Sequence, residues 1–241
     1  VPPFLRALGE TVISLLYPPH CAACQAETEA GSHLCQACTD GAKRLNPPFC
    51  SRCSEPFHGA ITSEFFCSNC GDRRFHFECV VAPYRARGVV RDFIHRFKYN
   101  GHFYLRHQLA AWMAAGLEDH RLREPQIDAL VPVPLHSARR REREFNQAEV
   151  LAGIVATGAG LTVAPVLERT RYTTTQTRLN REERMENLRG AFRIRKRAVV
   201  ADRHFVLIDD VMTTGSTVDE CARVLVDAGA ATVRVLTVAR A

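Results

Sequence analysis

The spacing of apolar residues divides the chain into three textures. At the start, Phe4, Leu5, Leu8, Val12 and Leu15 recur at three- and four-residue steps, which predicts one face of a short amphipathic helix. From His20 to Phe77 no periodicity is sustained, and proline, glycine and polar residues are scattered throughout. Regular patterning begins at Cys79. "CVVAPYR" predicts a strand, and "GVVRDFIHRFKYNGHFYLRHQLAAWMAAGL" predicts two helices broken at Asn100-Gly101. "IDALVPVPLH" is a short apolar strand ending in prolines; the arginine-dense "SARRREREFNQ" follows, then an Ala/Leu helix to about residue 158. The chain closes with strand 204–209, a Thr/Gly turn, helix 216–228 and strand "TVRVLTVA". Strands alternating with helices predict an α/β fold whose mainly parallel sheet is covered on both faces.

The stretch without periodicity contains eight of the ten cysteines, in four CxxC pairs: Cys21/Cys24, Cys35/Cys38, Cys50/Cys53 and Cys67/Cys70. One CxxC wraps two thiolates around a cation, and two complete a tetrahedral zinc site with no position left for water. Two structural zinc ions are therefore expected, replacing a core that this segment cannot build. Pairing first with second and third with fourth is the simplest scheme; first with third and second with fourth is the alternative. His20, His33, His58 and His76 lie nearby, but thiolates already fill both sites. Cys79 and Cys221 stand among apolar neighbours and are expected to be small core residues.

The closing strand-turn-helix, "HFVLIDDVMTTGST", carries the chemistry. Val206-Leu207-Ile208 predict a strand buried on both faces, with Asp209 and Asp210 where it emerges at the carboxyl edge. Thr213, Thr214, Gly215, Ser216 and Thr217 then supply hydroxyls and backbone donors. They lead into a helix whose apolar face is Val218, Cys221, Ala222 and Leu225. Unsatisfied N–H groups and the positive dipole end make that helix start a phosphate cradle. Two adjacent carboxylates repel unless something compensates them. Acids for hydroxyls or a divalent cation, followed by a nest for phosphate, fit a ribose phosphate.

Charge sharpens this picture. The formal charge of +6 is uneven: residues 1–79 carry two more acids than bases, and residues 80–241 eight more bases than acids. Two zinc ions bound by eight thiolates would bring the whole chain to about +2. The basic C-terminal part suits a phosphate-bearing ligand or nucleic acid. No apolar run approaches the ~20 residues that span a bilayer. The opening residues lack a basic n-region and a small-residue cleavage site, so a cytoplasmic protein without a signal peptide is expected.

The run from Phe205 to Thr217 resembles the motif of type I phosphoribosyltransferases that binds 5-phosphoribosyl 1-pyrophosphate (PRPP). "LLYPPHCAAC", "FKYNG", "VPVPLH", "REFNQAEVLA" and "RTRYTTTQTRLNREERMENLRGAF" precede it, an order similar to that of the ComF family over almost the whole length. The resemblance implies a type I phosphoribosyltransferase-like parallel sheet in residues 80–241. Residues 1–79 would be an N-terminal helix and a double zinc ribbon. It implies that Asp209 and Asp210 face the ribose hydroxyls, that Thr213 to Thr217 hold the 5-phosphate, and that Mg²⁺ bridges the pyrophosphate. Val131 to His136 fall where related enzymes carry their pyrophosphate loop, with Lys98 and Arg143 as further cationic anchors. Residues 169–190, long for a connection, would be a hood closing over the ligand through Arg169, Gln176 and Arg184. One residue departs from the pattern: Glu144 stands where the family has the Gly of "RGFNQ", setting a carboxylate beside an anion loop. That Gly would supply a backbone angle that Glu adopts only at a cost.

In the ComF family this domain is associated with uptake of single-stranded DNA in natural transformation, alongside a helicase and a recombination mediator. The resemblance therefore implies a PRPP- and Mg²⁺-binding protein of DNA uptake. A metabolic phosphoribosyltransferase and a non-enzymatic zinc-ribbon adaptor that senses PRPP are the alternatives. Thr213 stands where purine-salvage relatives commonly carry an aspartate, which argues against ordinary salvage, and no catalytic base is assigned. The absence of GxxxxGK[ST] argues against a helicase. Tyr99, Phe103, Tyr104 and Trp112 are expected in the core rather than as a stacking platform for DNA.

Overall fold

The computed structural model describes residues 19–29, 32–61, 63–99, 101–172 and 186–241. The amphipathic helix expected around Phe4 to Leu15 lies outside the described residues, as do Gln176 and Arg184.

Strands β1 (Val80–Val81), β2 (Tyr84–Arg85), β3 (Ala129–Pro132), β6 (His204–Met212) and β7 (Thr232–Arg240) form one five-stranded sheet in which every pairing is parallel. β1 and β2 pair with successive stretches of β7, separated where Pro83 interrupts "VVAPYR". From that edge the order is β7, β6, β3. A further pair, β4 (Leu167–Arg169) and β5 (Phe192–Ile194), is antiparallel and joins the two ends of the segment expected to be the hood.

Alternation along β6 sorts the two layers, because successive side chains of a strand point to opposite faces. Val206 and Ile208 pack with helices α3 (Gly88–Tyr99), α4 (Arg106–Ala114) and α7 (Gln147–Ala159). Phe205 and Leu207 pack with helix α8 (Ser216–Asp227) and the β4–β5 pair. The expected core face of α8 is observed: Val218 is 3% exposed, and Cys221, Ala222 and Leu225 are fully covered. The break at Gly101 is also as expected, with φ at +64° between α3 and a 3-10 turn at Phe103–Leu105. "SARRRER" forms a short helix, α6 (Ser137–Arg143), which its charge-dense pattern did not predict.

The aromatic expectation holds only for Trp112, which is 5% exposed. Tyr99, Phe103 and Tyr104 are 54, 40 and 41% exposed. They sit at the end of α3 and in the 3-10 turn that follows, where the chain turns outward before α4 starts.

The cysteine-rich part straddles the β1–β2 edge, around two short helices, α1 (Gln36–Gly41) and α2 (Ser68–Gly71). Its first knuckles pack with the α3 layer and its second pair with the α8 layer. Buried Arg234, near the start of β7, ties that strand to the segment before β3 by donating to the carbonyls of Leu122 (2.8 Å) and Pro125 (2.6 Å).

Candidate functional site

β6 stays paired with β7 up to Met212, whereas β3 ends at the Pro132–Ile208 register. Asp209 and Asp210 therefore stand just past the carboxyl end of β3, in the crevice where open α/β sheets bind ligands. Neighbours on a strand point to opposite sides, which gives the two acids different partners without removing their mutual repulsion. Asp210, 5% exposed, shares the side of Ile208 and meets the Lys98 ammonium of α3 at 2.8 Å. Asp209 lies toward α8, in the electrostatic reach of Arg169, and accepts a hydrogen bond from the Asp210 N–H at 2.9 Å. Burial, with the Asp210 charge beside it, pushes the Asp209 carboxyl up to about 7. The same burial raises the Cys221 thiol well above its ordinary value, so this cysteine is an inert core residue, as expected.

The turn after β6 carries Thr213, exposed, and Thr214, whose hydroxyl lies 3.1 Å from that of Ser216. Gly215 caps α8 at φ +81°, ψ −2°, in the left-handed region that glycine occupies without steric cost. Its carbonyl accepts the first helical bond from Asp219 N–H at 2.8 Å. The N–H groups of the first helical turn, with Ser216 and Thr217 in it, have no acceptor within the helix. Five residues named from the sequence thus form one continuous turn beside the acid pair, with hydroxyls and helix-start N–H groups gathered in it.

Of the other candidates, Lys98 and Arg143 come together. They line one cavity of about 190 Å³ with Tyr99, Glu142, Glu144 and Phe145. Arg143 donates to the Tyr99 hydroxyl at 3.0 Å and lies over its ring at 4.8 Å. Glu144 occupies the left-handed region, φ +67° and ψ −28°, at the end of α6, so the position does demand the glycine-like backbone anticipated for it. His136 is not in that cavity. It caps α6, its Nδ1 accepting from Ala138 N–H at 3.2 Å, and packs edge-on against Tyr172. Arg169 lies over the Phe192 ring at 5.1 Å in the β4–β5 pair, and burial lowers its pKa.

Sequence patterning missed Asn146. Its side chain is buried, donating to Val133 C=O (3.1 Å) and accepting from Ala138's counterpart in the next helix, Ala148 N–H (3.1 Å). It locks the segment after β3 to the start of α7; an Asn immediately before a helical run is the signal that could have found it.

The eight paired cysteines form two clusters, Cys21/Cys24/Cys35/Cys38 and Cys50/Cys53/Cys67/Cys70, each with all four Sγ atoms within 4.8 Å of one another. This is the sequential pairing. Cys24 and Cys35 Sγ, and likewise Cys53 and Cys67 Sγ, are 3.6 Å apart. A tetrahedron of Zn–S bonds near 2.3 Å has edges of about 3.8 Å, so both clusters fit structural zinc. Cys67 N–H donates to Cys50 Sγ at 3.3 Å, which supports a thiolate there. None of the four nearby histidines joins a cluster among the described residues.

A double zinc ribbon ahead of a phosphoribosyltransferase-type sheet is the class these features define. Family comparison agrees: residues 12–71 match the double zinc ribbon domain and residues 146–241 the phosphoribosyl transferase domain. The chain is 28% identical to Competence protein F of Haemophilus influenzae, over 88% of this chain and 92% of that protein. It is 31% identical to the DNA utilization protein YhgH of Escherichia coli K12, over 84% of this chain and 88% of that one. Competence protein ComFC of Streptococcus pneumoniae is 29% identical, over 87% and 88%. The chain belongs to this ComF/YhgH family.

Proposed function

We propose that this chain binds PRPP with Mg²⁺ and serves the handling of single-stranded DNA in the cytoplasm. The observation that carries the reading is the continuity of the acid pair with the turn 213–217 at the carboxyl edge of β6. Asp209 and Asp210 accept hydrogen bonds from the ribose hydroxyls, and the turn takes the 5-phosphate through N–H groups and hydroxyls. Lys98 and Arg143 face the pyrophosphate. Magnesium, when bound, supplies charge neutralisation for the leaving pyrophosphate. Arg169 closes the ligand from the hood side. Transfer to an acceptor is the activity that this arrangement suits, because positioning and charge neutralisation supply most of it.

The DNA half of the reading rests on the relatives named for competence and DNA utilization, and on a surface. Exposed Tyr99, Phe103 and Tyr104 lie among arginines: Arg106 is 4.2 Å from the Phe103 ring, and Arg96 donates to the Tyr104 hydroxyl at 3.2 Å. Aromatic faces beside guanidinium groups suit unpaired bases and phosphates.

Calorimetric titration of the purified chain with PRPP and Mg²⁺ tests the first half. Heat that disappears in an Asp209→Asn/Asp210→Asn variant is expected; no heat from the unchanged chain would end the reading. Gel shifts with single-stranded DNA across salt concentrations test the second, and affinity should fall steeply with salt.

A further inference from the structure

The two cysteine clusters lie on opposite faces of the sheet, and only one of them reaches the phosphate turn. Cys53 and Cys70 share a small cavity of about 90 Å³ with Phe75, Met212, Thr213 and Thr214. Met212, 3% exposed, closes it from the sheet side. A Cβ placed on Gly215 would stand 2.6 Å from Met212 Cε and 3.9 Å from Phe75 Cε1, so both side chains lie against the backbone of the turn.

Polar ties fasten the same ribbon to the same place. Glu55 pairs with Arg240, whose guanidinium donates to the Met212 carbonyl at 3.1 Å. Asp219, in the first turn of α8, accepts from His76 N–H at 2.8 Å and meets His76 Nδ1 at 3.2 Å. The first cluster is fastened elsewhere: Arg96 of α3 donates to the Ala22 carbonyl, beside Cys21.

A turn that binds phosphate by backbone N–H groups works only while those groups are held in place, and displacement by about 1 Å can cost about 100-fold. Behind this turn stands a segment whose shape depends on its thiolate cluster. We propose that the second ribbon is the rear wall of the phosphate cradle, with Phe75 and Met212 as positioning residues. Affinity for a sugar phosphate then depends more on metal in the Cys50/Cys53/Cys67/Cys70 cluster than on metal in the Cys21/Cys24/Cys35/Cys38 cluster. The proposal rests on the reading of the turn as a phosphate site.

The test uses the full chain and ribose 5-phosphate, which engages the turn and the acids but carries no pyrophosphate for Lys98 and Arg143. Calorimetry reads affinity, and a chromogenic chelator reads zinc per chain. Phe75→Ala and Met212→Ala should keep both zinc ions and bind ribose 5-phosphate at least about tenfold more weakly. Cys70→Ser should lose one zinc with a similar fall, whereas Cys24→Ser should lose one zinc with a clearly smaller fall than Cys70→Ser. Unaltered affinity in Phe75→Ala and Met212→Ala overturns the proposal, as does an equal loss in both cysteine variants. Should Cys70→Ser not fold, the two side-chain variants decide alone. If the unchanged chain binds neither ribose 5-phosphate nor PRPP, the phosphate reading itself fails; if it binds and the variants bind equally, only the rear-wall proposal fails.

Discussion

The Lys98 ammonium lies 2.8 Å from the Asp210 carboxylate, with 17% of one side chain and 7% of the other exposed. A pair this covered costs more to break than a surface pair, because the remaining charge loses its partner but not its burial. Lys98→Met is expected to destabilise the chain by about 2–3 kcal/mol in chemical denaturation and to weaken PRPP binding at least about tenfold. Adding Asp210→Asn should restore part of the stability and none of the binding. A double variant no more stable than Lys98→Met alone would show that the pair is not coupled.

Asp209 sets a pH dependence. Its carboxyl, at about 7 in the fold, titrates well above the ordinary value near 4 of an unfolded chain. The folded state therefore holds a proton that the unfolded state has released. Stability falls as pH rises from about 4 to about 7, and the penalty is complete above that. Asp209→Asn should raise stability at about pH 8 by about 1–2 kcal/mol after allowance for partial exposure, and hardly change it near pH 4. Thermal melts at both pH values check this; an equal shift at both would place the effect elsewhere. PRPP affinity of the unchanged chain should grow across about pH 6–8 as the carboxylate forms.

Glu144 holds a left-handed backbone and lines the cavity shared with Lys98 and Arg143. Glu144→Gly should stabilise the chain by about 1 kcal/mol, because the strained φ is relieved. It should also tighten PRPP binding by removing a charge that opposes pyrophosphate. Denaturant midpoints and calorimetry measure the two effects separately.

Arg234 is fully buried in β7 and is held there by two carbonyls. Arg234→Ala leaves both acceptors unpaired beside a void and should cost about 2–4 kcal/mol without altering zinc content. Circular-dichroism melts with parallel zinc assay would reveal a smaller effect, or a loss of metal, if the arginine were not a structural tie.

Zinc removal makes a further distinction. Two zinc ions per chain are expected from the two tetracysteine clusters. A strong chelator should release both and unfold the ribbon, because the segment has few other buried apolar side chains. One zinc per chain in the freshly purified protein would contradict two filled tetracysteine sites.

Much of this was legible because it is local. A CxxC knuckle needs only its own four residues, and a strand-turn-helix such as 204–227 brings its acids, hydroxyls and capping glycine together within one short run. Glu144 was readable too, since a left-handed angle is a property of one position. What sequence could not decide was how distant elements meet. Lys98 reaches Asp210 only because α3 lies on the Ile208 side of β6. Tyr99, Phe103 and Tyr104 have apolar bodies that predict a core, yet the chain turns outward between α3 and α4 and leaves them at the surface. Which cysteine pairs share a site, and that one cluster packs beside the turn after β6 while the other packs against α3, follow from how the ribbon wraps the sheet edge. Periodicity and spacing report what a residue does to its near neighbours; the face of the sheet on which a segment finally packs is chosen by burial across the whole fold.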